Sequence, residues 1–224
     1  MHDNMDDVNN MAGSFKEFTK NGKKILGAAF NYHRALQAAK APKPENPVIF
    51  MKSSTSYITE GNKIKTPQGA EILEEVELGV VIGKKCKDVE ELDAMLYVGG
   101  YCLALDLGLN NLLPEYRKKG FPWCISKSFD TSCPVSRFVD LEELKDPHNV
   151  ELWCKINGKL QQTDNTSDLV FNIPQLISYC SKYMTLEPGD LILTGTGPNC
   201  GIIKPGDTIS CGMGEVVCME FDVE

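Results

Sequence analysis

Several features are scarce in this chain of 224 residues, and each scarcity argues against a class of protein. Basic side chains number 23 against 31 acidic ones, so the net charge is -8. This balance argues against a nucleic-acid partner, because nucleic-acid-binding domains need a basic face. No apolar run reaches the length of about 18 residues that a membrane span requires, so we expect no membrane partner. Only three histidines occur, which excludes a histidine-rich metal site.

The nine cysteines form no Cys-x-x-Cys pair, and most of them stand in apolar, strand-like runs. An odd number of cysteines without such pairs argues against both a disulfide framework and a zinc site. We therefore expect reduced, buried thiols in an intracellular protein.

The first ten residues carry three aspartates and neither lysine nor arginine. Secretory and mitochondrial targeting segments are basic, so this leader favours a cytoplasmic location. We expect a flexible acidic leader and N-terminal segment over residues 1–20. No break in composition follows, and a single domain is predicted over residues 21–224.

Turn signals and short β-branched runs indicate many strands and few helices. Asn157-Gly158 separates two such runs and predicts a hairpin. Pro174 suits the first turn of a helix, and the spacing of Asp88 and Glu91 is typical of a capping box. Because strands and helices do not alternate regularly, the pattern predicts a mixed α/β, β-rich fold.

Three acidic residues stand at the ends of apolar runs. Glu75 and Glu77 open a β-branched run, and side chains two apart on a strand project to the same side. Asp106 follows a second apolar run, in which it is the only charge. Neighbouring carboxylates repel unless they are protonated or bridged by a cation, and Mg²⁺ prefers oxygen ligands. The alternative is a solvated strand face at Glu75 and Glu77 and a turn cap at Asp106.

Two further residues are candidates for substrate contacts. Lys127 interrupts a stretch rich in apolar and aromatic groups, where a lysine near a metal can stabilise an enolate or a carboxylate. The alternative is a surface lysine whose stem covers apolar neighbours. Thr196 lies in a Gly-rich turn after a strand, where its hydroxyl and backbone N–H groups can meet an anion. Many strands end in such a turn, so this signal is weak by itself.

In this order and spacing, the segments resemble the fumarylacetoacetate hydrolase family, in particular its small acylpyruvase and oxaloacetate decarboxylase members. The resemblance extends from about residue 23 to residue 224. It depends on seven segments: Glu75-Val76-Glu77-Leu78-Gly79-Val80-Val81, Tyr97-Val98-Gly99-Gly100-Tyr101 leading to Asp106, Lys118-Lys119-Gly120, Pro122-Trp123, Ser126-Lys127-Ser128-Phe129-Asp130, Glu187-Pro188-Gly189-Asp190 and Thr194-Gly195-Thr196.

This resemblance implies a β-roll fold, a homodimer, and Mg²⁺ or Mn²⁺ bound by Glu75, Glu77 and Asp106. The cation would act as a Lewis acid on a small anionic 2-oxo acid. The resemblance further implies that Lys127 holds the substrate's oxygen atoms and stabilises an enolate, and that Thr196 completes the pocket. Relatives in this subgroup are often mitochondrial, which makes mitochondria an alternative to the cytoplasm.

The chain departs from the family pattern at the N-terminal lid. The family's His and Glu, which activate water for carbon–carbon cleavage, fall on Ala35 and Ala38, and an arginine position falls on Phe30. His33 is a candidate replacement, but it comes two positions early. Two residues turn a helix by about 200°, so His33 would face away from the expected side unless the register shifts locally.

A second departure follows Asp106. The family's pocket arginine falls on Asn110, and its pocket glutamine falls on Leu113. A neutral asparagine cannot replace the bidentate clamp that a guanidinium offers to a carboxylate. Asn110 and His33 are therefore the residues that a new class of substrate would use.

Two functions fit these observations. The first is a divalent-metal-dependent enzyme acting on a small 2-oxo or 1,3-dioxo carboxylate. Decarboxylation or tautomerisation of oxaloacetate needs mainly a Lewis acid and an enolate stabiliser, whereas acylpyruvate hydrolysis also needs an activated water and is predicted to be weak. The alternative is a catalytically impaired homologue that keeps the fold, the metal site and the dimer for a binding or regulatory role.

Overall fold

Strands dominate residues 15–224, the part of the chain that the computed structural model describes. They are β1 (Ile25–Ala29), β2 (Val48–Lys52), β3 (Tyr57–Ile58), β4 (Ile72–Leu73), β5 (Val76–Ile82), β6 (Val98–Leu105), β7 (Gly108–Leu109), β8 (Cys133–Pro134), β9 (Val139–Asp140), β10 (Glu151–Ile156), β11 (Lys159–Asn165), β12 (Leu191–Leu193), β13 (Ile202–Ile203), β14 (Thr208–Met213) and β15 (Val217–Asp222).

The helices are short and connect these strands. The α-helices are α1 (Phe18–Asn21), α2 (His33–Ala39), α3 (Leu113–Lys119), α4 (Cys124–Lys127) and α5 (Ile173–Tyr183). Single 3₁₀ segments lie at Phe15–Glu17, Ser54–Ser56, Glu91–Tyr97 and Thr166–Asp168. The predicted mixed α/β, β-rich fold is confirmed.

The strands form a six-stranded mixed sheet in the order β2-β1-β12-β5-β6-β9 and a four-stranded sheet in the order β11-β10-β14-β15. Two smaller sheets have the orders β13-β4-β7 and β3-β8. Strand β5 is buried along its whole length, and β6 is buried at all but one residue. The two strands pair antiparallel, which brings the start of β5 beside the end of β6. This pairing positions the candidate site.

Of three local predictions from the sequence, two are confirmed and one is wrong. The hairpin at Asn157-Gly158 is confirmed: β10 and β11 pair antiparallel, and both turn residues have left-handed φ angles of 51° and 75°. The helix with Pro174 in its first turn is also confirmed. The capping box at Asp88 and Glu91 is wrong. Asp88 has a φ of 52°, the helical segment is 3₁₀, and its N-cap is Glu90 without a side-chain hydrogen bond.

The acidic leader that we expected to be flexible lies mostly outside the described residues, because the description begins at residue 15. Residues 15–20 belong to helical turns, and Phe18 is buried with its ring edge-on to Tyr57. The domain boundary at residue 20 stays a prediction. The nine cysteines are all free thiols, and six of them are buried as expected. The expectation of burial is wrong for Cys124 and Cys218, which are exposed, and Cys200 is half-buried. Within residues 15–224, no helix has the length and apolar character needed to cross a membrane.

Candidate metal and substrate site

The three predicted carboxylates converge at one end of the β5–β6 pair. Glu75 immediately precedes β5, Glu77 is its second residue, and Asp106 immediately follows β6. The Asp106 N–H donates a hydrogen bond of 2.8 Å to the Glu75 carbonyl oxygen, which closes the strand end. One carboxylate oxygen from each of the three residues lies within 4.8 Å of the others. The alternative of a solvated strand face is wrong, because Glu77 and Asp106 are buried.

Two buried lysines neutralise part of this acidic cluster. Lys127 donates from Nζ to a Glu75 oxygen at 2.5 Å and to an Asp106 oxygen at 2.6 Å. Lys52, at the end of β2, donates to the other Asp106 oxygen at 2.7 Å and to the Leu107 carbonyl oxygen at 2.9 Å. Lys127 is therefore not the surface residue of the alternative interpretation. Lys52 was not among the predicted site residues.

The charges of the cluster do not balance. Glu77 accepts a 2.6 Å hydrogen bond from the Gly195 N–H, but no lysine or arginine among residues 15–224 forms an ion pair with it. Burial, together with Asp106 and Glu75, raises the pKa of Glu77 well above its usual range. Burial also acts to raise the pKa of Asp106, but Lys127 and Lys52 outweigh it and hold that pKa below its usual range. The excess negative charge and the all-oxygen donor set fit a hard divalent cation.

The carboxylates open onto a cavity of about 370 Å³. Lys127 and Thr196 also line this cavity, so the structure brings together five of the predicted site residues. The Thr196 hydroxyl is already occupied, because it donates to the Val76 carbonyl oxygen at 2.9 Å and accepts from Gln162 at 2.7 Å. Thr196 thereby fixes the Gly-rich turn against the start of β5. Burial acts to lower the pKa of Lys127, but Asp106 and Glu75 raise it, so the lysine stays charged.

The structure does not bring His33 to this group. His33 is the exposed first residue of α2 and is absent from the cavity lining, whereas Ala35 and Ala38 on the same helix do line the cavity. This arrangement agrees with the prediction that His33 faces away from the pocket side of the helix. His33 therefore has no contact through which it would act on a substrate in the main cavity.

Asn110 lies beside the main cavity rather than in its lining. It lines an adjoining cavity of about 40 Å³ together with Glu75 and Lys127. Its Nδ2 donates to a Glu71 oxygen at 3.4 Å, and its backbone N–H donates to the Glu71 carbonyl oxygen at 2.8 Å. These bonds tie Asn110 to the segment before β4, so a direct substrate contact from Asn110 stays a prediction.

Arg117 is a lining residue that the sequence analysis missed. It lies on α3, in the basic run Arg117-Lys118-Lys119, which by sequence is typical of an exposed helix end. Its guanidinium carbon is 5.0 Å from the ring centroid of Phe30 and 4.8 Å from that of Trp123. No local sequence signal separates Arg117 from the lysines that follow it.

Replacing Lys52 by Met should destabilise the fold, because Asp106 would keep only one of its two buried ammonium partners. Removing one member of a buried ion pair typically costs about 3–5 kcal/mol of unfolding free energy. Urea unfolding measures this loss directly. Lys20→Met, which breaks the exposed pair with Glu17, is the control and should cost far less. Equal losses in the two variants would show that the Lys52 pair is not a structural element.

Comparison with known proteins identifies relatives of this chain in sequence and in fold. The family model described as fumarylacetoacetate (FAA) hydrolase C-terminal matches residues 24–224. The chain belongs to the fumarylacetoacetate hydrolase family, which confirms the resemblance. It is 47% identical to the mitochondrial oxaloacetate tautomerase of Bos taurus over 91% of this chain and 92% of the relative.

Two further matches extend the comparison. The chain is 42% identical to the mitochondrial oxaloacetate decarboxylase of Dictyostelium discoideum, covering 92% of this chain and 96% of the relative. Its fold matches that of a fumarylpyruvate hydrolase from Pseudomonas aeruginosa in complex with Mn²⁺ and pyruvate, with a TM-score of 0.86 at 24% identity. That match covers 91% of this chain and 90% of the other. The prediction that the chain is an enzyme is confirmed, and the impaired homologue is not favoured.

Proposed function

We propose that this protein is a divalent-metal-dependent enzyme that tautomerises or decarboxylates oxaloacetate. The observation that carries the proposal is the convergence of Glu75, Glu77 and Asp106 with Lys127 on one cavity. The names of relatives at 42–47% identity, which act on oxaloacetate, support the same choice of substrate.

The residues present fit Mg²⁺ or Mn²⁺ as the resident cation. Glu75, Glu77 and Asp106 would hold it, and Glu77 is the carboxylate whose charge the lysines leave unpaired. A bound divalent cation supplies Lewis acidity toward the oxygen atoms of a 2-oxo acid.

The chain's own contribution is electrostatic stabilisation. In tautomerisation C3 of oxaloacetate loses a proton to solvent water, and the oxygen on C2 takes a proton from solvent water. In decarboxylation the bond between C3 and the C4 carboxylate breaks, CO₂ leaves, and the enolate of pyruvate remains. Both reactions develop negative charge on the C2 oxygen. Lys127 is charged and held rigidly by two carboxylates, so it can stabilise that charge without rearranging.

Neither reaction needs an activated water, which agrees with the wall of the cavity. Ala35 and Ala38 face the cavity from α2, and neither side chain can accept a proton. Removing a general base typically lowers a rate by about 10²–10⁴-fold. Acylpyruvate hydrolysis should therefore be weak, although the three carboxylates that would hold the metal lie together.

Near-ultraviolet absorbance of the enol band tests the proposal. The purified protein is mixed with Mn²⁺ and either oxaloacetate or acetylpyruvate, and each reaction is repeated after the metal is removed with EDTA. We expect a metal-dependent change with oxaloacetate and a much slower one with acetylpyruvate. NMR detection of pyruvate then separates decarboxylation from tautomerisation.

Absence of any metal-dependent change with oxaloacetate, in a folded protein that still binds the cation, would contradict the proposal and favour the impaired homologue.

We also propose that the protein forms a homodimer and that the ligand of the site is a small anionic 2-oxo acid. The mitochondrial names of the relatives support a mitochondrial location, whereas the cytoplasmic location stays a prediction from the leader.

A further inference from the structure

Arg117 occupies a distinct position among the cationic groups of the cavity. It lines the cavity with the three carboxylates, but it approaches from α3, outside the strand ends that carry them. Burial lowers the pKa of Arg117, while the charges of Glu75 and Asp106 raise it, which agrees with a guanidinium and carboxylates that face the same space. Even a lowered arginine pKa leaves the side chain charged at neutral pH.

Two aromatic rings lie beside the guanidinium. Phe30 and Trp123 lie 5.0 Å and 4.8 Å from its central carbon, distances at which a cation is attracted to a ring face. Phe30 has a φ of 59°, a left-handed backbone that is unfavourable for an aromatic residue. The fold thus keeps the Phe30 ring in this place despite a local conformational cost.

A further aromatic ring, that of Phe50, lies between Trp123 and Lys127. The Trp123 ring lies 5.7 Å from the ring of Phe50, and the Lys127 ammonium is 5.0 Å from the centre of the Phe50 ring. Arg117 and Lys127 both line the main cavity, and both also line the small adjoining cavity beside Glu75. A ligand in the main cavity can therefore meet two positive charges that come from different elements, α3 and α4.

The two cations differ in what they already bind. Lys127 and Lys52 both donate to the carboxylates of the metal-binding cluster. In contrast, no oxygen of residues 15–224 accepts a hydrogen bond or forms an ion pair with the Arg117 guanidinium. A ring contact uses none of the N–H donors of a guanidinium, and two of those donors can bind a carboxylate bidentately.

We propose that Arg117 binds the distal carboxylate of the substrate, so that the site selects four-carbon 2-oxo dicarboxylates over monocarboxylates of the same length. This inference rests on the proposed function for the other end of the substrate, where the 2-oxo acid group meets the metal ligands and Lys127. Phe30 and Trp123 are positioning residues, because they act through Arg117.

A pair of unreactive acids tests this selectivity apart from turnover. Malate and 2-hydroxybutyrate have four carbons each and the same 2-hydroxy acid group, but only malate carries a second carboxylate. Calorimetric titration in the presence of Mg²⁺ should show that the wild-type protein binds malate about 10–100-fold more tightly, the range for a charge-assisted pair of hydrogen bonds. Arg117→Gln should reduce that preference to less than about threefold, chiefly by weakening malate.

Two further variants separate the guanidinium from net charge. Arg117→Lys keeps the charge but loses the planar fork, so its preference for malate should be intermediate. Lys118→Gln removes one positive charge from the next position of the same exposed helix and should keep the wild-type preference. If Lys118→Gln lowered the preference for malate as much as Arg117→Gln does, the general positive field of the helix, rather than Arg117 itself, would be the cause of the preference.

The outcomes also separate this inference from the proposed function. Loss of the malate preference in Arg117→Gln, in a protein that does not convert oxaloacetate, would support the role of Arg117 and contradict the proposed reaction. Conversion of oxaloacetate with the same KM in wild type and Arg117→Gln, and with no malate preference in the wild type, would overturn the role of Arg117 alone. Equal weakening of both hydroxy acids by Arg117→Gln would likewise overturn it.

Discussion

Replacing Glu75 by Gln is expected to lower metal-dependent turnover of oxaloacetate by about 10²–10⁴-fold, a loss of roughly 3–5 kcal/mol of transition-state stabilisation. The substitution removes one anionic ligand and also one of the two carboxylates that hold Lys127. Glu75 is the outermost of the three carboxylates, with 16% of its side chain exposed, so an isosteric amide there should leave the fold intact. Calorimetric titration with Mn²⁺ should show weaker binding in parallel with the loss of rate.

Glu74→Gln is the matched control. Glu74 is adjacent in sequence, but its side chain turns the other way and accepts a 2.8 Å hydrogen bond from the Gly201 N–H. Burial raises the pKa of Glu74 to about 8, so it is largely neutral at pH 7 and an amide replaces it with little electrostatic change. We expect nearly wild-type Mn²⁺ affinity in this variant. Unchanged affinity in Glu75→Gln as well would show that Glu75 is not a metal ligand.

The residues alone predicted only part of the carboxylate triad. The two-residue period of a strand placed Glu75 and Glu77 on one side, and a lone charge after an apolar run made Asp106 a candidate. Their assignment to one metal site came from the family resemblance, because the residues alone left a solvated strand face and a turn cap as the alternative. The position of Asp106 beside Glu75 depends on the antiparallel pairing of β5 with β6, which no local sequence feature predicts.

Lys52 is also a lone charge at the end of an apolar run, so the same feature could have identified it as a candidate. The identity of its partner could not have been derived, because 54 positions separate Lys52 from Asp106. Their proximity depends on the tertiary structure of the whole domain, because three strands lie between β2 and β6 in the order of the six-stranded sheet. Such an order follows from packing of the whole domain rather than from any segment.

Arg117 illustrates a second limit. A basic residue near the end of an amphipathic helix usually faces water, and Arg117 is exposed like its neighbours Lys118 and Lys119. Only the tertiary structure, which places Phe30 and Trp123 beside the guanidinium, identifies Arg117 as a lining residue of the cavity. The family comparison could indicate that an arginine was missing at Asn110, but not that another guanidinium lines the cavity.

Introducing the missing acid–base pair, by Ala35→His together with Ala38→Glu, is expected to raise acetylpyruvate hydrolysis at least about tenfold. Both positions line the cavity from α2, three residues apart on one helical face, so the new side chains would be neighbours. A positioned general base typically contributes about 10²–10⁴-fold, and an unoptimised pair should recover part of that. The measurement is the rate of loss of the acetylpyruvate enol band with saturating Mn²⁺.

The control for this gain is Ala35→Gln with Ala38→Gln, which adds comparable volume and polarity but no group that accepts a proton near neutral pH. If both double variants hydrolyse acetylpyruvate equally fast, filling the cavity rather than general-base catalysis is the cause. If neither variant improves, and both still bind Mn²⁺, the alanines do not limit hydrolysis. The limit would then be substrate recognition at Arg117, because acetylpyruvate has no distal carboxylate for the guanidinium to bind.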